Sequence, residues 1–143
     1  LVCDPNNPSE LARAIKNGAA ADLVMIHDSQ RPLTQQGQFE RVYAALTSDI
    51  DAVRPVSPFT ETLKSINADN FIDQTIDRTS MMRISTPEIV RYSAIDFDGV
   101  ASTWFVPLIA SAKTAVVEAD ADSARINSEK EIELMGYLLD WNK

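Results

Sequence analysis

Short apolar runs alternate along the chain with segments of helical spacing, the arrangement of an α/β layer protein rather than a bundle or a sandwich. Leu23-Val24-Met25-Ile26 is a continuous apolar run and predicts a strand covered on both faces, read as a central parallel strand. Ala52–Val56 and Ala115-Val116-Val117 predict two more strands, Leu1–Cys3 the tail of another, and Arg83-Ile84-Ser85 a return to the sheet. Arg125-Ile126 reads as a last short extended piece.

Helix signals fall between these runs. Asn7 as N-cap, Pro8 at the first helical position and Glu10 three residues after the cap start a helix that Gly18 should end, with Leu11, Ala14 and Ile15 on its apolar side. Thr34 can cap a second helix carrying Phe39, Val42, Tyr43 and Leu46 on one face. Thr86-Pro87-Glu88 reads as a third start, and Asp96–Lys113 as a weakly patterned helix. Asn127 or Ser128 caps the last one, with Ser128 and Glu131 at capping-box spacing and Ile132, Leu134, Met135, Leu138 and Leu139 as its apolar side. Between residues 61 and 77, two partly alternating runs flank Asn67-Ala68-Asp69-Asn70, which predicts a β-hairpin. Its faces are largely polar and an isolated hairpin is marginal in water, so it should project as an arm over residues 60–78 and pack on a partner, most simply a second copy.

Composition narrows the class. At 143 residues the chain suffices for one domain, read here as a single domain over residues 1–143 with no internal repeat, and its core needs neither disulfide nor metal. The lone Cys3 excludes an internal disulfide and fits a reducing, cytoplasmic compartment. A net charge of −8 opposes attraction to nucleic acid or an anionic membrane. The longest strongly apolar stretch, Trp104–Ala110, contains Pro107 and is far shorter than the ~20 residues of a spanning helix. Leu1-Val2-Cys3 leads straight into a turn without Met or a targeting pattern, so the chain reads as one entered partway. Glu118, Asp120 and Asp122 read as a solvated acidic loop rather than a metal site.

The polar stretch His27-Asp28-Ser29-Gln30-Arg31-Pro32 follows the carboxyl end of a predicted strand, where open α/β sheets bind ligands. Residues 24–32 are similar to a strand followed by H-D-A-A-R-P. Pro55-Val56 with Glu61-Thr62-Leu63-Lys64 is similar to P-V…D-T-[IVM]-K with three residues inserted. Gln74–Arg78 and Arg83–Glu88 are similar to T-[VI]-D-R and L-W-x-x-Q-T-P-Q, and residues 117–129 to V-E-G…N-I-K-V-T-x-P. In this order the stretches resemble the 2-C-methyl-D-erythritol 4-phosphate cytidylyltransferases of the non-mevalonate isoprenoid route.

The resemblance implies a three-layer, Rossmann-like nucleotidyltransferase sheet, mostly parallel, with a protruding hairpin arm. It also implies transfer of CMP from CTP to a polyol phosphate with release of pyrophosphate and magnesium present. Such chemistry needs cations and donors that hold two anions in line. On the resemblance, Asp28 contacts the acceptor's hydroxyls and the metal, and Arg31 orders that loop or the phosphate; from the residues alone, a loop-internal Asp28–Arg31 pair is an equal reading. Thr62 and Arg78 reach the acceptor site of the other subunit of a homodimer, and Thr86 bonds the acceptor. Arg125 stands where the family has a phosphate-gripping lysine, and Ser9 aligns with a serine near the nucleotide base. His27 reads as scaffold. Asp98-Gly99-Val100-Ala101-Ser102 keeps only two letters of T-D-E-A-S, and the Gly-rich loop A-A-G-x-G-x-R has no counterpart. The chain is therefore expected to hold the acceptor half of the site without the CTP half, to contain no catalytic residue of its own and to be inactive alone. A transferase for another polyol phosphate and a non-catalytic binding or assembly module are the competing readings.

Overall fold

A computed structural model of the chain describes residues 8–18, 20–99 and 106–141. One sheet holds β1 (Leu23–Ile26), β2 (Ala52–Pro58), β5 (Met82–Ile84), β6 (Glu88–Arg91) and β7 (Thr114–Glu118), while β3 (Leu63–Ile66) and β4 (Ile72–Ile76) form a separate pair. β2 runs parallel to β7 along Ala52–Val56. On its other side it pairs antiparallel with β6 at Ala52 and Val53 and with β5 at Val56–Pro58. β1 joins β6 antiparallel, Leu23 opposite Arg91 through Ile26 opposite Glu88.

The pairings are thus mostly antiparallel, and the expected mostly parallel sheet is corrected. An apolar run such as Leu23–Ile26 reports cover on the sheet faces, whereas the direction of the neighbouring strand is fixed by connections the run does not encode. Among the described residues β1 has one neighbour, and Met25 is 43% exposed.

Thr86-Pro87-Glu88 starts no helix: it links β5 to β6 through a cis Thr86–Pro87 bond, and the chain continues as a strand. Cap, proline and acid read the same in both settings, and the β-branched pair Ile89-Val90 favours the strand. Continuing the Val56–Ile84 register would set Pro87 opposite Val53, yet Ile89 stands there, so two residues are extruded around Thr86-Pro87. Pro55, which has no N–H to leave unpaired, flanks this gap, and its carbonyl accepts the Ser85 N–H at 2.8 Å.

Strand alternation sorts the side chains into two cores. Ala52 and Val90 pack with Ile15, Ile95 and Val106 on one face, and Val53 and Ile89 with Val42 on the other. The first face is covered by α1 (Pro8–Lys16), which ends before Gly18 as expected, and the second by α2 (Gln36–Ala44). Helix, sheet and helix make three layers. Thr34 does not cap α2: Gln35 precedes the helix without a side-chain cap, and the Thr34 hydroxyl donates to the Arg31 carbonyl at 3.0 Å. Tyr43 is 62% exposed, so the buried side of α2 runs through Gln38 and Val42 instead.

Within the expected helix Asp96–Lys113, residues 96–99 and 106–113 contain none, and Ile95 forms an antiparallel bridge with Leu108. Residues 100–105, Cys3 with the strand tail Leu1–Cys3, and Asn7 lie outside the described residues. Arg125-Ile126 pairs with no strand, and the Ile126 N–H donates to the Gln30 carbonyl at 2.8 Å. The final helix α3 (Glu129–Trp141) is capped by Ser128, whose Oγ accepts the Glu131 N–H, while the Glu131 carboxylate takes the Asn127 N–H, one residue earlier than in a capping box.

The hairpin is formed as expected from its sequence. Asn67 Oδ1 accepts the N–H groups of Asp69 and Phe71, and Asn70 takes a left-handed φ of 63°, which asparagine tolerates. Lys64 Nζ donates to Thr75 Oγ1 across the strands at 2.6 Å. Ile66, Phe71 and Ile72 are exposed. Among the described residues no helix is long and apolar enough to cross a membrane.

Candidate functional site

Three loops meet beyond the carboxyl end of β1: residues 27–31, the extruded turn at Thr86, and residues 120–127. Asp28 ties them together. Its N–H donates to Thr86 Oγ1 at 3.1 Å, and its Oδ1 accepts the Gln30 N–H at 3.0 Å, a local Asx turn. Its Oδ2 accepts Arg125 Nε at 2.9 Å and lies 3.8 Å from Arg31 Nε. Arg31 donates to the Ser123 carbonyl at 2.6 Å and the Ile84 carbonyl at 3.3 Å, and its buried Nε makes no hydrogen bond with any described residue. The remaining Arg125 groups donate to Asn127 Oδ1 and Gln30 Oε1. Asp28, Arg31, Thr86 and Arg125 are therefore assembled in one place, with charge-assisted bonds between residues more than ninety positions apart.

Thr86 is buried, and its hydroxyl serves His27 Nδ1 at 3.1 Å as well as Asp28. His27 also packs on the Phe39 ring at 5.1 Å. Burial holds its pKa below the ordinary histidine value, with its hydrogen bond to the Arg31 backbone pulling the other way. The ring thus favours the neutral form at pH 7, in keeping with a scaffold role.

Two buried polar groups escaped the sequence reading. Gln38 is fully buried: its Nε2 donates to the Thr86 carbonyl at 2.7 Å and its Oε1 accepts the Asp120 N–H at 2.6 Å. The available signal is its place one turn before Val42, a polar letter on the apolar stripe of α2. Through Gln38 the extruded turn and the acidic loop are held to one side chain. Asp120 also pairs with Arg41, so that loop is bonded rather than merely solvated. The second group is Glu88, fully buried, whose Oε1 accepts from Arg54 at 2.7–2.8 Å while its Oε2 has no hydrogen-bond partner among the described residues. Burial pushes the Glu88 carboxyl up, and Arg54 draws it back in part.

Thr62 is exposed in the segment before β3, and Arg78, also exposed, opens a 3-10 turn over Arg78–Ser80 and donates to the Thr60 carbonyl. No contact joins either to the Asp28 cluster among the described residues. Ser9 belongs to α1, and its side chain lies outside the described residues. Among the described residues no group of three or more His, Cys, Asp and Glu side chains is placed to hold a metal. With Asp28 Oδ1 on an amide and Oδ2 on guanidinium groups, the donor set suits cationic side chains and N–H partners, not a protein-held magnesium ion.

A family model described as 2-C-methyl-D-erythritol 4-phosphate cytidylyltransferase matches residues 9–98. The bifunctional enzyme IspD/IspF of Brucella abortus is 30% identical, over 80% of this chain and 32% of the relative. That of Rhodospirillum rubrum is 42% identical over 76 residues, 53% of this chain and 19% of the relative. The chain spans a third or less of the length of these curated relatives. A crystal structure of 2-C-methyl-D-erythritol 4-phosphate cytidylyltransferase from Thermus thermophilus superposes with a TM-score of 0.75 at 22% identity, covering 98% of this chain and 72% of that one. One of 4-diphosphocytidyl-2C-methyl-D-erythritol synthase from Anaerococcus prevotii gives 0.70 at 21% identity, covering 91% and 63%. At these identities the superpositions establish a shared fold.

Proposed function

Because the chain belongs to the 2-C-methyl-D-erythritol 4-phosphate cytidylyltransferase family, we propose that it supplies the acceptor side of CMP transfer from CTP to that polyol phosphate, in isoprenoid biosynthesis. The supporting observation is the Asp28 cluster: the family match spans Asp28, Arg31, Thr62, Arg78 and Thr86, and the fold brings Arg125 onto Asp28 from outside that span. In the reaction an acceptor phosphate oxygen bonds to the α-phosphorus of CTP, the bond to the bridging oxygen breaks, and pyrophosphate leaves with the electron pair. The described residues orient the acceptor: the spare lone pairs of Asp28 suit its hydroxyls, and the surrounding guanidinium groups favour its phosphate. Magnesium, on this reading, accompanies the phosphates of CTP rather than a protein cage.

Calorimetric titration with 2-C-methyl-D-erythritol 4-phosphate is expected to give one saturable site per chain. Pyrophosphate release, wherever it is seen, must require both CTP and the acceptor. Binding of neither compound would favour a non-catalytic module, and tighter binding of another polyol phosphate would favour a different acceptor.

The hairpin completes the reading as a dimer arm that carries Thr62 and Arg78 to a second copy. Its exposed Ile66, Phe71 and Ile72 have little to pack on in their own chain, and Phe71 is 69% exposed. Sedimentation equilibrium is expected to find a dimer that Phe71→Asp shifts to monomer; a Phe71→Asp protein that remains dimeric would place the interface elsewhere.

A further inference from the structure

The cations around the candidate site differ in what their N–H groups already do. Arg125 is committed to Asp28, Gln30 and Asn127, and Arg31 to two backbone carbonyls with Asp28 alongside. Arg83, on β5, is exposed, and its guanidinium makes no hydrogen bond with any described residue. Its neighbour Ile84 supplies one of the carbonyls that hold Arg31, and its own charge acts on both Arg31 and Glu61. Glu61 is bonded by the Thr60 hydroxyl at 2.7 Å and lies within range of Arg78 as well.

Arg31 and Arg125 hold the Asp28 carboxylate between them, and Arg83, on the same face of β5 as Ser85, whose hydroxyl meets that of Ser123, adds a third guanidinium on the Arg31 side, in a chain whose net charge is −8. Like charges brought together repel, and an anion placed among them relieves the repulsion. The site has its positive field already built and one planar fork of five donors left uncommitted. We propose that Arg83 binds the phosphate monoester of the acceptor within its own chain, a contact that neither the motif spacing nor the family resemblance assigns. Arg31 and Arg125 supply the field and hold Asp28 toward the acceptor's hydroxyls, while Arg83 makes the bidentate contact. This inference rests on the acceptor reading given above.

The test is calorimetry on wild type, Arg83→Ala and Arg83→Lys with three probes: 2-C-methyl-D-erythritol 4-phosphate, the same polyol without its phosphate, and inorganic phosphate. Arg83→Ala is expected to weaken the phosphorylated acceptor about 10- to 100-fold, as loss of hydrogen bonds to a charged group implies. It should weaken inorganic phosphate as well and leave the unphosphorylated polyol unchanged. Arg83→Lys should recover part of the loss, and the urea midpoint should not move, since Arg83 holds nothing in the fold. An Arg83→Ala protein with wild-type affinity for the phosphorylated acceptor overturns the proposal. Wild-type protein that binds inorganic phosphate through Arg83 but not the polyol phosphate keeps the anion site and removes the acceptor reading; binding of neither removes both.

Discussion

Glu88→Ala is expected to lower the unfolding free energy by about 3–5 kcal/mol, because removing one partner of a buried ion pair strands the other. The value should fall toward the lower end of that range, since the Arg54 side chain keeps 22% exposure and water can reach it. Glu88→Gln separates charge from shape: it keeps an oxygen for Arg54 but cannot ionise. Burial raises the Glu88 carboxyl, so between the ordinary value of 4.5 and its raised folded value the native state holds more protons than the unfolded state. Wild-type stability should therefore fall as pH rises through that window and then level, a component that Glu88→Gln lacks. Urea unfolding of the two proteins from pH 4 to 8 checks the sign. A wild-type advantage that grew with pH would mean that Arg54 outweighs burial. Replacing Arg54 and Glu88 together with apolar residues of similar volume should cost far less than Glu88→Ala.

Asp28→Asn should weaken binding of the phosphorylated polyol by about 30- to 100-fold, in line with the loss of charge-assisted hydrogen bonds. Inorganic phosphate should behave differently, because Asp28 is the carboxylate that offsets Arg31 and Arg125. With that charge gone, the local field is more positive and phosphate affinity should hold or rise. Titrating both probes into both proteins separates recognition of hydroxyls from simple scaffolding. A parallel loss of both would mean that Asp28 acts only by arranging the loops, and circular dichroism with urea midpoints would show whether the loops survive.

The elements that signal themselves locally could be read from sequence. The run Leu23–Ile26, the Pro8 helix start, the Asn67–Asn70 turn and the Ser128 cap each carry their cause within a few residues. β6 did not, because Thr86-Pro87-Glu88 is the same string at a helix start and at a strand link, and only the pairing with Ala52 and Val53 distinguishes them. Strand direction failed for the same reason, being a property of partners 24 or more residues away. At the site, motif letters identified Asp28, Arg31, Thr86 and Arg125, which the fold does bring together. Gln38 leaves only a faint mark, a polar letter on the apolar stripe of α2, and Glu88 and Arg83 leave none. A buried glutamine, a paired acid and an uncommitted arginine look like ordinary polar letters until their neighbours are known.

The bonds that assemble the site join residues far apart in the chain: 97 positions for Asp28 and Arg125, 92 for Arg31 and Ser123, 82 for Gln38 and Asp120. Loops of that length are slow to close, and their closure is rewarded only once the strands between them have already paired. During vectorial synthesis the sheet from β1 to β7 can therefore take shape before residues 120–127 leave the ribosome, with the Asp28 loop still unfastened. The last turn before α3 is thus the clasp of the Asp28 cluster, and a nascent chain stalled just short of it would carry a nearly complete fold with that cluster unassembled.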